Sequence, residues 1–145
     1  MCLSKAEILR LIEEWLSFWD EYNLDGVMEI MHDEVIFENW TGEIICGKSK
    51  LRKSWILWFK YHGNFKFTLE DLFVDEQEQK VLFQWKLEWP SKEVAYKGKK
   101  EVRRGVDVLH FWEGKMYRKY SYSKTTLQID NIPVILSAPK HNHSA

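Results

Sequence analysis

Asp107 lies in an apolar stretch, Gly105-Val106-Asp107-Val108-Leu109-His110-Phe111-Trp112. A carboxyl group in such a strand is either held by a structural partner or presented to a ligand, because inward ionisable groups concentrate at sites. Arg103 shares its strand face but stands four positions earlier, too far along an extended chain for easy contact. Glu38, in Val35-Ile36-Phe37-Glu38-Asn39, is the candidate base, facing either a cavity or solvent. One acid and one base in a dry pocket can carry out isomerisation, cyclisation or dehydration by proton transfer, so no cofactor is expected. Asn39 beside Glu38 is an amide with no useful basicity and can only position. Trp15, Trp40, Trp85 and Tyr120, with Tyr96 and Tyr122, are rings able to grip a flat or apolar molecule; burial alone would also explain them as core.

The remaining reactive residue types form no recognisable pattern. His32 and His62 read as structural or exposed, His110 has the parity of an outer sheet face, and His141 and His143 fall near the end of the chain. Cys2 and Cys46 lack metal-site spacing, Cys46 reads as a buried thiol, and no metal site is expected. The glycines have no phosphate-cradling spacing. Lysine plus arginine number 21 against 22 acids, a net charge of -1, which argues against nucleic acid as a partner even though Lys97, Lys99, Lys100, Arg103 and Arg104 cluster. No apolar run is long enough to span a bilayer and the first residues do not resemble a signal peptide, so a cytoplasmic protein with no membrane association is expected.

Placing those residues requires a fold. Ile8, Leu11, Ile12, Trp15, Leu16 and Trp19 recur at helical spacing from Ala6 to about Tyr22, with Ser4 and Glu7 at the separation of a capping box. A short helix over 26–31, strand-like segments around Trp40-Thr41-Gly42, and a helix from Ser49 to about Tyr61 follow. Beyond Asn64 the period changes to alternation, giving four long strands, the last two joined at Glu113-Gly114. Helices followed by an antiparallel run imply an α+β domain. Both faces of the 103–112 strand carry apolar residues, which favours a homodimer through the outer sheet face. A single domain over 1–138 and a flexible tail over 139–145 are expected.

The order of elements resembles the nuclear-transport-factor-two-like superfamily, particularly its SnoaL-like and ketosteroid-isomerase-like members. The strings that carry it are Asn23-Leu24-Asp25-Gly26-Val27-Met28, Asp33-Glu34-Val35-Ile36-Phe37-Glu38, the Gly42 to Gly47 segment before a helix, and Gly105 to Lys115. The resemblance implies a cone-like fold in which a strongly curved, mixed or mainly antiparallel sheet wraps N-terminal helices around a deep apolar pocket. It also implies a homodimer and a small hydrophobic or aromatic ligand. Asp107 matches the inward acid of the steroid isomerases, which donates a hydrogen bond to the developing oxyanion. Asn39 stands where their base would be, and Trp15 near their helix-one tyrosine, so steroid isomerisation by that route is not expected. Two functions stay open: proton-transfer catalysis with Asp107 and Glu38, positioned by Trp15, Asn39, Trp40, Trp85, Arg103 and Tyr120, or noncatalytic binding of a ligand or another chain.

Overall fold

Ser4 and Glu7 start the first helix as their spacing predicts. The Ser4 hydroxyl accepts from the Glu7 amide at 3.1 Å and the Glu7 carboxylate accepts from the Ser4 amide at 3.0 Å. These bonds, the one from the Ser4 backbone first, hold the Glu7 carboxyl below its ordinary value. The computed structural model describes residues 2–61 and 63–136. Helix α1 (Lys5–Asp20) buries Ile8, Ile12, Trp15 and Trp19, one face at spacings of four, three and four. Helix α2 (Leu24–Glu29) begins at Asn23, whose side chain accepts from the Gly26 amide at 2.9 Å. A Cβ on Gly26 would lie 2.5 Å from the Phe18 ring, so glycine lets α2 close onto α1. Helix α3 (Lys48–Tyr61) buries Leu51 and Trp55.

The strands are β1 (Met31–Glu38), β2 (Ile44–Cys46), β3 (Lys66–Asp75), β4 (Lys80–Pro90), β5 (Lys100–Trp112), β6 (Lys115–Ser123), β7 (Thr126–Ile129) and β8 (Ile132–Ile135). They form one sheet in the order β2-β1-β6-β5-β4-β3, with β7 pairing the start of β5 and β8 pairing β7. β1 runs parallel to β6 and every other pair is antiparallel, so the sheet is mixed. Helix α1 packs against β3, and α3 against β1 and β2. The domain is therefore α+β, as expected.

The strongly curved, cone-like sheet implied by the resemblance does not form. The sheet is neither strongly curled nor closed, and β2 and β3 remain separate edges. The central ladder gives the physical reason. β4 and β5 pair from Lys80 with His110 to Pro90 with Lys100 without a register shift, and sharp bending needs bulges. Shifts occur instead towards the flanks, at Leu69/Asp71, at His110/Phe111 and between Met31 and Ile36.

Two further elements differ from expectation. Residues 30–31, read as the end of a helix, cap α2 and open β1. The β7–β8 hairpin adds to the four long strands, and its turn residues Asp130 and Asn131 both have positive φ, 50° and 68°. Asp and Asn tolerate that conformation, which suits a two-residue hairpin turn. Glu113 and Gly114 repeat it between β5 and β6, at 53° and 74°. No helix among the described residues is long and apolar enough to cross a membrane.

Candidate functional site

A cavity of about 480 Å³ lies between the helices and the sheet. Trp15 and Trp19 of α1, Trp55 and Trp58 of α3, Trp85 and Trp89 of β4, and Trp40 of the β1–β2 turn all line it. Seven of the eight tryptophans thus surround one space, and the eighth, Trp112, stacks on His32 elsewhere at 5.0 Å. Phe37, Phe67 and Phe83 complete the ring wall. The rings hold one another in edge-on and tilted contacts: Trp19 with Trp55 at 5.2 Å, Trp40 with Trp85 at 5.6 Å, and Trp58 stacked on Trp89 at 4.9 Å. Core and cavity wall are the same residues here.

Gly105 makes room for that wall. It pairs with Trp85 across the β4–β5 ladder, and a Cβ there would meet the Trp85 ring at 2.5 Å and the Tyr122 carbonyl oxygen at 2.0 Å. The indole can therefore lie over the β5 backbone, and its Nε1 donates to Asp107 Oδ1 at 3.0 Å. The other carboxylate oxygen, Oδ2, stands 2.8 Å from Lys119 Nζ. Asp107 is 4% exposed and Lys119 8%. Lys119 also donates to the Ser121 hydroxyl at 3.0 Å, and its ammonium lies 4.8 Å from the Phe37 ring centre, 5.9 Å from Trp55 and 6.0 Å from Trp15. Ring faces attract a cation, so the aromatic wall partly replaces the lost water.

A second ionic cluster lies on the same strand. Glu101 is fully buried; it accepts from Arg103 Nε at 3.1 Å, from the Ser91 hydroxyl at 2.9 Å and from the Trp89 indole. Arg103 also donates to Glu93 at 2.8 Å and to the Ser123 hydroxyl at 3.1 Å, and its guanidinium packs 5.0 Å from the Trp40 ring centre. Arg103 therefore ties the loop after β4 and the Trp40 turn to β5.

Trp15, Asn39, Trp40, Trp85, Arg103 and Asp107 line the cavity together. The structure does not bring Glu38 or Tyr120 there. Glu38 has the opposite parity to the buried Val35 and Phe37, and its partner on β6 is Tyr120. Tyr120 faces away because of a bulge. Phe111 pairs with Met116 but His110 with Arg118, so Tyr117 is the extra residue, and the inward positions after it become Lys119 and Ser121. Tyr120 instead packs edge-on to His110 at 5.6 Å. Burial, followed by Lys80 and Arg118 nearby, lowers the His110 pKa below its ordinary value.

Lys119, Ser121, Glu101 and Glu93 were not singled out by sequence; an inward lysine in β6 could have been found only by placing the bulge. Arg103 pairs with Glu101 and Glu93, and Asp107 with Lys119. Cys46, expected as a buried thiol, is exposed at the edge strand, as is Cys2, and both are free. His32 contacts Glu113 at 2.8 Å, outside the cavity. His62 and residues 137–145, which include the whole of the expected tail, lie outside the described residues. Among the described residues no group of three or more His, Cys, Asp or Glu is arranged to hold a metal ion.

A helical layer over a mixed sheet, with a ring-lined cavity between, places the chain in the nuclear-transport-factor-two-like superfamily. Within it the chain belongs to the SnoaL-like domain family, which matches residues 12–119. Similar solved structures include TerC co-crystallised with polyporic acid, with 13% identity, a TM-score of 0.68, and coverage of 82% of this chain and 92% of that one. A protein of unknown function with a cystatin-like fold from Methylobium petroleophilum has 15% identity, a TM-score of 0.67, and coverage of 100% and 85%. An LEH-like epoxide hydrolase of M. tuberculosis has 16% identity, a TM-score of 0.64, and coverage of 82% and 84%. At these identities the likeness is one of fold. No curated protein matches the chain.

The Arg103 cluster generates a stability prediction. Arg103→Met leaves the Glu101 carboxylate buried beside a neutral side chain and should cost about 3 to 5 kcal/mol. Urea denaturation followed by far-ultraviolet circular dichroism measures it; a loss below about 1 kcal/mol, the size of a surface pair, would contradict the clamp.

Proposed function

We propose that the protein binds a small, flat, hydrophobic or aromatic molecule in the tryptophan-lined cavity, with the polar end of that molecule against Asp107 and Lys119. The observation that carries this reading is a volume of about 480 Å³, within the usual range for small-molecule sites, whose ring walls enclose the buried Asp107–Lys119 pair.

A catalytic role is a second reading, favoured by the charged pair itself. Asp107 then acts as proton acceptor and Lys119 hydrogen-bonds the oxyanion that develops, with Glu38 taking no part. For a ketone, Asp107 removes an α-proton, Lys119 stabilises the enolate oxygen, and Asp107 returns the proton to carbon. The noncatalytic alternative keeps the same pocket and omits the proton transfer.

One titration separates these readings. With 2-tetralone in deuterated buffer, binding should quench the intrinsic tryptophan fluorescence, and proton transfer should appear as α-deuterium uptake above the buffer rate. Asp107→Asn should reduce the catalysed uptake by about a hundredfold or more, the usual worth of a positioned base. No saturable quenching would contradict the pocket reading; quenching without uptake would favour the noncatalytic one.

The outer sheet face is proposed as the contact with a second copy of the chain. Val106, Val108, His110 and Trp112 of β5 face that way, flanked by the exposed Phe73, Leu82 and Tyr122. Analytical ultracentrifugation should give twice the 17.5 kDa chain mass, and Val108→Arg should halve it. A wild-type species at the chain mass would contradict the dimer. Two free, exposed thiols fit a reducing compartment such as the cytoplasm.

A further inference from the structure

Lys119 is unusual as a structural residue. A lysine on a buried strand face is uncommon, and a buried ion pair is often no more stabilising than apolar side chains of the same volume. Its surroundings hold the parts that amine chemistry needs. Nζ lies 2.8 Å from the Asp107 carboxylate, which can take its proton, and 3.0 Å from the Ser121 hydroxyl, which can pass one on. Phe37, Trp15 and Trp55 place rings around it within 6.0 Å, and it lines the cavity. Desolvation in an apolar pocket favours the neutral, nucleophilic amine, and the carboxylate beside Lys119 is a group that can take its proton.

We propose that Lys119 forms a covalent imine with an aldehyde or ketone bound in the cavity. Lys119 passes a proton to Asp107, and the neutral amine attacks the carbonyl carbon while the carbon–oxygen π bond opens. A proton moves from nitrogen to oxygen through the Ser121 hydroxyl, giving a neutral carbinolamine. The protonated Asp107 then delivers its proton to the hydroxyl group, which departs as water as the nitrogen lone pair forms the carbon–nitrogen double bond. Ammonium, carboxylate and carbonyl become protonated imine, carboxylate and one water. No oxidant, metal or cofactor enters the balance. This inference rests on the cavity being the ligand site proposed above, and it narrows the ligand to a flat, apolar carbonyl compound.

The test uses 6-methoxy-2-naphthaldehyde as probe and sodium cyanoborohydride to trap the imine, followed by peptide mapping of the wild-type chain. Lys119 should be alkylated faster than exposed lysines such as Lys60, and Asp107→Asn should slow that labelling by about a hundredfold. The carbonyl-free analogue 2-methoxynaphthalene should quench tryptophan fluorescence without forming an adduct. Quenching by both compounds with Lys119 unlabelled, or labelled only after Lys60, would overturn the imine and leave the pocket reading standing. No quenching by either, with Lys119 unlabelled, would overturn both. The wild-type map decides the matter even if Asp107→Asn does not fold, and unchanged labelling in a folded Asp107→Asn protein would overturn the role given to Asp107.

Discussion

A carboxylate and an ammonium group 2.8 Å apart inside a wall of rings set the terms for the rest of this molecule. Removing two charges from water is costly, and their mutual attraction offsets that cost only when the remaining hydrogen-bonding capacity is also met. Here the Trp85 indole takes the second oxygen of Asp107, Ser121 takes another hydrogen of Lys119, and three ring faces lie around the ammonium. Each of those partners depends on a backbone feature. Gly105 leaves space for Trp85, and the bulge at Tyr117 turns Lys119 and Ser121 inward.

The aromatic residues answer a related problem. A helical layer set over an open sheet must be filled, and large rings on α1, α3 and β4 do so while leaving one gap between them. Their edge-on contacts keep the wall ordered without requiring close packing at its centre. Arg103 fixes the loop after β4 and the Trp40 turn to the sheet through Glu93, Glu101 and Trp40. One strand, β5, thus supplies the anchor of the Trp40 turn and the acid of the charged pair.

Much of this was legible in the sequence, and the parts that were not share a cause. Helix α1 was readable because its cap and its apolar spacing are local; Asp107 stood out as an acid between valines that matches the inward acid of the steroid isomerases, with a structural and a ligand-facing role both left open. Arg103 reached the cavity because it shares its strand face with Asp107, Trp40 because its turn was placed correctly, and Asn39 through its match to the base position of the isomerases. Glu38 did not, because the face that β1 buries is that of Val35 and Phe37, which alternation alone left open; Tyr120 did not, and Lys119 was overlooked, because a single extra residue in β6 exchanges its two faces and leaves no mark in composition. The flatter sheet had a similar origin: the unbroken β4–β5 ladder is a property of pairing between strands, which alternation within one strand does not reveal. The β7–β8 hairpin differs, since Asp130-Asn131 was a readable turn signal.

The most direct measurement of the central claim is a double-mutant cycle on the charged pair, with the unfolding free energies of the wild type, Asp107→Asn, Lys119→Met and the double variant taken from urea denaturation. If the pair organises the site, each single variant leaves one buried charge unmatched and costs about 3 to 5 kcal/mol. The double variant then costs less than the sum of the two by about 1 kcal/mol or more, the size expected of residues in direct contact. Strictly additive losses would show that Asp107 and Lys119 act independently and would contradict the account.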